Sequence, residues 1–294
     1  MAALPLFLLY YILVILSIHL HKFFLASRPP MVYNRPIILQ NRGTPMPTPI
    51  VGAQLYTVRG LMRSPKDIEK TLTRIAAIGY EAIQLSGFKY DPPWMRALCD
   101  RLGLQVRLTH GSDVLGDIEG VIANHKILGC PYVGLGGMDA KYRTADGARQ
   151  FLRDFTPAME ALRAAGLKLQ YHNHAWEFGL YGGARFYDVL VGESDPALLG
   201  FTLDTYWAHF AGMDVPALAR RMKGRLDVCH YKDMTLVGDH EQRFAAIGDG
   251  NLHWPAIIEA FAFAGTQYAF IEQDDCYGKD PVEELARSWR FLAK

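Results

Sequence analysis

Four apolar runs in the second half of the chain each end in an imidazole or a carboxylate. They are Leu169-Gln170-Tyr171-His172-Asn173-His174, Leu199-Gly200-Phe201-Thr202-Leu203-Asp204, Leu226-Asp227-Val228-Cys229-His230 and Tyr268-Ala269-Phe270-Ile271-Glu272. Neutral imidazole nitrogens and carboxylate oxygens together suit one borderline or hard divalent ion. Mn²⁺ and Zn²⁺ lead that choice, with Mg²⁺ and Co²⁺ behind them. Side chains alternate along a strand, so His172 and His174 share a face. Cys229 is next to His230 and faces away, which leaves no thiolate in the set. Plainer roles compete. Asp204 precedes Thr205-Tyr206-Trp207 and could cap a helix, and Asp233 could cap or pair. His125 and His253 lie in helix or loop patterns and read as surface or packing residues.

The elements that must position these side chains follow from periodicity. Strand-like runs begin near Ile50, Tyr80, Leu104, Tyr132, Leu167, Leu198, Leu226 and Gln267. Each gap holds room for a helix and two loops. Ser64-Pro65 precedes a helix over Lys66–Ile78, with Ile68, Leu72, Ile75 and Ala76 at helical spacing and Gly79 past its end. Further helices are predicted over Asp113–Leu128, Thr144–Ala165, Pro255–Ala264 and Pro281–Leu292. The first three of these are followed by Gly129, Gly166 and Gly265. Eight strand–helix units predict an α/β fold, a (β/α)8 TIM barrel over residues 50–294, with its chemistry at the C-terminal ends of the strands. A doubly wound open sheet is the structural alternative, but the first strand is not followed by a GxGxxG fingerprint.

The 294 residues carry 31 basic and 30 acidic side chains, a formal net charge of +1. No long-range field favours a polyanion, so nucleic acid is not an expected partner. Cys99, Cys130, Cys229 and Cys276 form no CxxC pair and read as reduced core thiols. The uncharged run from Ala2 to Ser17, extended to Leu20, nears the length that spans a bilayer. Residues 1–27 are thus either a membrane anchor, through residues 4–20, or an upstream extension that ends before a start at Met46. Lys22, Arg28, Arg35 and Arg42 all follow the run, so an anchor would leave the barrel in the cytoplasm. Either way a cytoplasmic location is expected. Pro29, Pro30, Pro36, Pro45, Pro47 and Pro49 make residues 28–49 a linker.

The barrel resembles the xylose-isomerase-like TIM barrels grouped as sugar phosphate isomerases/epimerases. The resemblance covers residues 50–294. It is carried by Val51-Gly52-Ala53-Gln54-Leu55-Tyr56-Thr57-Val58-Arg59, Ile78-Gly79-Tyr80-Glu81-Ala82-Ile83-Gln84-Leu85 and Tyr171-His172-Asn173-His174-Ala175-Trp176-Glu177-Phe178. Leu203-Asp204-Thr205-Tyr206-Trp207, His230-Tyr231-Lys232-Asp233, Gly248-Asp249-Gly250 before Trp254, and Ile271-Glu272-Gln273-Asp274 extend it. It implies a metal held by His172, Asp204, His230 and Glu272. His172 departs from the glutamate that the epimerases carry there. Glu272 is then the candidate base, and His172, His174 or Glu177 the second acid/base. His110, Lys232, Trp207 and Gln273 are expected to touch substrate.

The expected activity is metal-dependent isomerisation or epimerisation of a sugar- or polyol-derived ketone, by proton abstraction next to the carbonyl. Loss of a β-hydroxyl or a glycosidic oxygen at the same site would make it a dehydratase or lyase on an inosose or 3-keto-glycoside. A non-catalytic sugar-binding barrel is the third reading, and a homo-oligomer is possible under each. Apurinic endonucleases share the barrel but need further ligands from the early strands. Here the first, second and fourth strands end in Tyr56, Ser86 and Gly136-Gly137.

Overall fold

Alternation along the strands sorts the side chains into two cores. The computed structural model describes residues 47–293, and the expected apolar segment, with most of the expected linker, lies outside them. Eight parallel strands close a barrel in the order β1-β12-β9-β8-β5-β4-β3-β2. They are β1 (Ile50–Gln54), β2 (Ala82–Leu85), β3 (Gln105–His110), β4 (Tyr132–Leu135), β5 (Lys168–His172), β8 (Leu199–Asp204), β9 (Val228–Tyr231) and β12 (Tyr268–Ile271). This is the predicted (β/α)8 barrel, and its closure excludes the open sheet. Each expected strand start falls within two residues of the observed one.

Odd-numbered positions such as Ala53, Ile83, Val133, Leu169, Tyr171, Leu203, Cys229, Tyr231 and Ile271 join the large core under the helices. Even-numbered positions fill the lumen, apart from Val106 beside the register shift between β2 and β3. Ala82, Leu108, Tyr132, Val228 and Phe270 form a separate small cluster there. Below it, Asp227 accepts from Lys168 and Gln170 at 2.8 and 3.0 Å. Glycines keep this layer from overfilling: a Cβ at Gly52 would stand 2.6 Å from the Phe270 ring. A filled lumen of stacked layers makes the barrel floor rigid, so residues one pleat higher are fixed by it.

The helices start and stop as their sequences dictate. Ser64 caps α1 (Pro65–Ile78) through Asp67 N–H at 3.2 Å, and Gly79 closes it in the left-handed region at φ 116°. Asp91 caps α2 (Pro92–Leu102), Asp117 α3 (Ile118–Leu128) and Thr144 α4 (Ala145–Ala164). Then come α5 (Phe186–Glu193), α6 (Thr205–Phe210), α7 (Val215–Arg221), α8 (Trp254–Ala264) and α9 (Pro281–Leu292). No helix among the described residues is long and apolar enough to cross a membrane.

Two excursions depart from the simple alternation. A short ribbon of β6 (Leu180–Tyr181) and β7 (Ala184–Arg185) follows β5, and an antiparallel hairpin of β10 (Asp233–Val237) and β11 (Glu241–Ala245) follows β9. The hairpin's root is held by Asp233. Its carboxylate accepts from the backbone of Met234, Gly248, Gly250 and Leu252 and from the Trp254 indole, the last at 2.7 Å. Asp233 is therefore neither a helix cap nor an ion-pair partner but the acceptor that folds the loop after β11.

Candidate active site

The topmost inward positions bring His172, Asp204, His230 and Glu272 together. One ligand atom from each lies within 4.8 Å of the others, and all four residues are buried. Strand register explains the meeting: Asp204 pairs directly with His230, and His230 with Phe270, one pleat below Glu272. The lumen above is a cavity of about 440 Å³, with Gln54, His110, His172, His174, Lys232 and Glu272 in its wall.

Hydrogen bonds orient each member. Asp204 does two jobs: Oδ1 caps α6 through Trp207 N–H at 2.9 Å, while Oδ2 lies 3.2 Å from His172 Nε2. Asn173 accepts from Asp204 N–H at 3.0 Å and fixes the strand end. His230 Nε2 sits 2.8 Å from Gln84 Oε1. A glutamine oxygen can only accept, so Nε2 carries the proton and Nδ1 presents a lone pair when the ring is neutral. That Nδ1 lies 3.0 Å from Glu272 Oε2, yet neither atom makes a hydrogen bond of acceptable geometry with it. Two atoms this close can share one ion that lies off the line between them, and His172 and Asp204 bring their ligand atoms to the same place. A divalent cation fits that point and these donors.

Lys232 adds a charge beside the tetrad. Its buried ammonium is 3.0 Å from Asp204 Oδ2, 2.8 Å from Glu272 Oε2 and 3.1 Å from Asp274 Oδ1. Burial alone would raise both tetrad carboxyls, but this ammonium and the neighbouring imidazoles hold Asp204 and Glu272 well below the ordinary range. Burial pushes Asp274, the outermost of the three, up to about 7, with Glu272's charge adding to it. Burial and the imidazole of His230 bring His172 down to about 3. Burial likewise lowers His110 and His174, with the neighbouring imidazoles of His172 and His230 acting on His110 in the same sense. These rings are neutral at pH 7 and can accept a proton. Burial acts the same way on His230, but Glu272 and Asp204 outweigh it and raise its pKa.

The other expected residues divide. His110 faces the tetrad, its ring centroid 5.3 Å from His172 and 5.5 Å from His230. It lies against the end of β4, where a Cβ at Gly136, the residue after the strand, would meet Nδ1 at 2.8 Å. Trp207 stands beside His174 with centroids 5.6 Å apart, at the edge of the cavity rather than in its wall. Glu177 and Gln273 are not brought to the site. Glu177 accepts from Tyr171 OH at 3.1 Å and from His174 N–H at 2.9 Å, so it positions the His174 backbone from behind. Gln273 follows inward-facing Glu272 and so points outward, where its amide donates to Asp275 O at 3.1 Å. His125 is a packing residue, bonded to Thr109 and to Val121 O at 2.8 Å each. Gln54 and Gln84 join the site without a local sequence signal. Both lie on the inward parity of their strands, two residues before Tyr56 and Ser86.

A family model described as xylose isomerase-like TIM barrel matches residues 72–294. No curated protein sequence matches the chain significantly. Among solved structures, a sugar phosphate isomerase/epimerase from Parabacteroides distasonis is 20% identical, covers 84% of this chain and 98% of its own, and superposes with a TM-score of 0.71. An L-ribulose 3-epimerase is 16% identical over 83% of this chain and 93% of its own, with a TM-score of 0.63. The IOLI protein, solved with a zinc atom, is 13% identical over 83% of this chain and 96% of its own, with a TM-score of 0.60.

Proposed function

The chain belongs to the xylose isomerase-like TIM barrel family, and from that premise we propose that it is a metal-dependent isomerase or epimerase of a sugar- or polyol-derived ketone. The observation that carries this reading is the buried meeting of His172, Asp204, His230 and Glu272 beneath a polar cavity. A divalent ion held by those four residues would supply Lewis-acid polarisation of the carbonyl and of the hydroxyl beside it.

The chain's own groups then handle the proton. Glu272, kept ionised by Lys232, takes it from the carbon next to the carbonyl. His174 stands at the end of β5, three strands from β12 around the ring, and so faces the same carbon from across the lumen. Having taken up a proton from solvent, it would give that proton to the opposite face of the enediolate and so invert the centre, while Glu272 releases the abstracted proton to solvent. Glu177, turned away from the cavity, has no part in that transfer. Gln54 and His110 hold substrate hydroxyls from the remaining wall.

A phosphorylated substrate is not supported. Lys232 is the one cation in the cavity wall among the described residues, and three carboxylates already hold it. Arg59, nearby, stacks 3.9 Å from Tyr56 and donates to the carbonyls of Tyr56 and Asp274. Both cations already make these contacts, and neither is left to clamp a phosphate, which favours an unphosphorylated polyhydroxy ketone as substrate.

The test is solvent-deuterium exchange read by NMR, with Mn²⁺ added, over a panel of ketoses, inososes and 3-keto-glycosides. Exchange at the carbon next to the carbonyl, with a new epimer or isomer, is the expected outcome. Loss of a β-substituent would move the protein to the lyases. Binding without exchange across the panel would make it a binding barrel.

A further inference from the structure

An aromatic ledge runs from the cavity to the surface on the side of α6 and the β10–β11 hairpin. Trp207 and Phe244 begin it, their ring centroids 5.8 and 5.7 Å from the Lys232 ammonium in the cavity wall. Phe244 lies 4.2 Å from Tyr206, and Phe210 lies 5.9 Å from Trp207 and nearly parallel to Tyr206. The outer end is open: Phe210 is 47% exposed and Tyr277 41%.

The ledge is built rather than incidental. Tyr277 is the only non-glycine residue at positive φ among those described, at 51°. In that conformation its hydroxyl accepts from Phe244 N–H at 3.1 Å, which ties the β12–α9 loop to the hairpin. Backbone strain of this kind is held only where surroundings enforce it, and it clusters around ligand sites. The Trp207 indole N–H is buried and has no acceptor among the described residues. It is a donor left over beside the cavity mouth.

We infer that the ledge is a second subsite, which takes the aglycone of a glycoside whose sugar ring occupies the cavity. This rests on the proposed sugar site and narrows its substrate from a free keto sugar to a keto-glycoside, whose ring keeps the carbonyl, with a flat, apolar aglycone. The polar groups of the cavity serve the hydroxyls. The exposed aromatic edge serves a ring that stacks.

Two non-reacting probes separate the subsites: phenyl β-D-glucopyranoside and methyl β-D-glucopyranoside, titrated into the full chain with Mn²⁺ and read by saturation-transfer NMR and calorimetry. The phenyl compound should bind about tenfold tighter, the worth of one good aromatic contact. Phe210→Ala and Phe244→Leu should remove that preference and leave methyl-glucoside affinity unchanged, with thermal melting as the check that each variant is folded. Equal affinity for both probes, no binding of either, or a preference that survives Phe210→Ala overturns the subsite. So does a wild-type dimer that Phe210→Ala converts to a monomer, since the ledge is then an interface between copies. Binding does not need turnover, so a missing proton exchange would count against the isomerase reading alone.

Discussion

Gln84 Oε1 and His230 Nε2 meet across the barrel lumen at 2.8 Å, although their strands are separated by two others. The contact joins a residue with no chemistry of its own to one of the four that could hold a metal. It fixes which nitrogen of His230 carries the proton and how the ring is turned. Partners of this kind are worth about 10- to 100-fold in metal affinity. Gln84→Leu should weaken Mn²⁺ binding by that factor in calorimetry, while the barrel remains folded. Unchanged affinity would show that His230 is oriented by packing alone.

Glu272→Gln keeps the shape of the side chain and removes its basicity. Metal affinity should weaken without being abolished, because His172, Asp204 and His230 remain. Proton exchange next to the substrate carbonyl should fall by about 10²–10⁴-fold, the usual worth of a general base. His172→Glu, which restores the glutamate of the epimerases, should retain metal. Near-normal exchange in Glu272→Gln would move the base to His172 or His174.

Glu177 makes stability depend on pH. Burial pushes its carboxyl up to about 7, against about 4.3 in an unfolded chain. Between those values the folded state binds more protons than the unfolded one, so stability falls as pH rises through the window and levels off above it. The contribution lost is on the order of 3 kcal/mol. Glu177→Gln keeps an acceptor for His174 N–H, turns an amide donor towards the Tyr171 hydroxyl, which can accept, and cannot ionise. The melting temperatures of variant and wild type should be close at pH 5 and diverge towards pH 8, with the variant the more stable. Parallel pH profiles would contradict the assignment.

The tetrad was legible in the sequence because two simple rules act on it together. Alternation puts every second residue of a strand on one face, and a barrel puts strand ends on one rim. His172, Asp204, His230 and Glu272 satisfy both. Gln54 and Gln84 satisfy them as well, but an amide in mid-strand carries no chemical signature, whereas Tyr56 and Ser86 mark the strand ends. The same parity argues against Gln273, one step past Glu272. Lys232 was legible as an inward residue only. Its partners Asp204, Glu272 and Asp274 lie 28, 40 and 42 residues away, and nothing local shows that its charge is already spent. The β10–β11 hairpin was hidden because its strands alternate weakly, and their exposed Leu236 and Val237 resemble a loop. Its anchor, Asp233, makes contacts that only the closed loop creates.

His110 shows how glycine can serve a reaction without touching substrate. Its ring lies in a slot on β4: a Cβ at Gly134 would stand 2.4 Å from Cδ2, and one at Gly136 would stand 2.8 Å from Nδ1. A Cβ at Gly134 would also press on the Thr109 carbonyl, so substitution there strains backbone and would disturb the fold. The three atoms nearest a Cβ at Gly136 all belong to the His110 side chain, and Gly136 has no positive φ. Gly136→Ala should therefore push the ring off β4 towards the cavity and leave the strand intact. A displacement on the order of 1 Å in a positioned group can cost about 10²-fold in kcat/KM. The melting temperature should move little, since the ring can give way into open space. The double variant Gly136→Ala/His110→Ala provides the control. If the glycine acts through the imidazole, the double variant should be no slower than His110→Ala alone, because residues in contact do not add. Additive losses would mean that Gly136 shapes the cavity directly, and that the slot is not what positions His110.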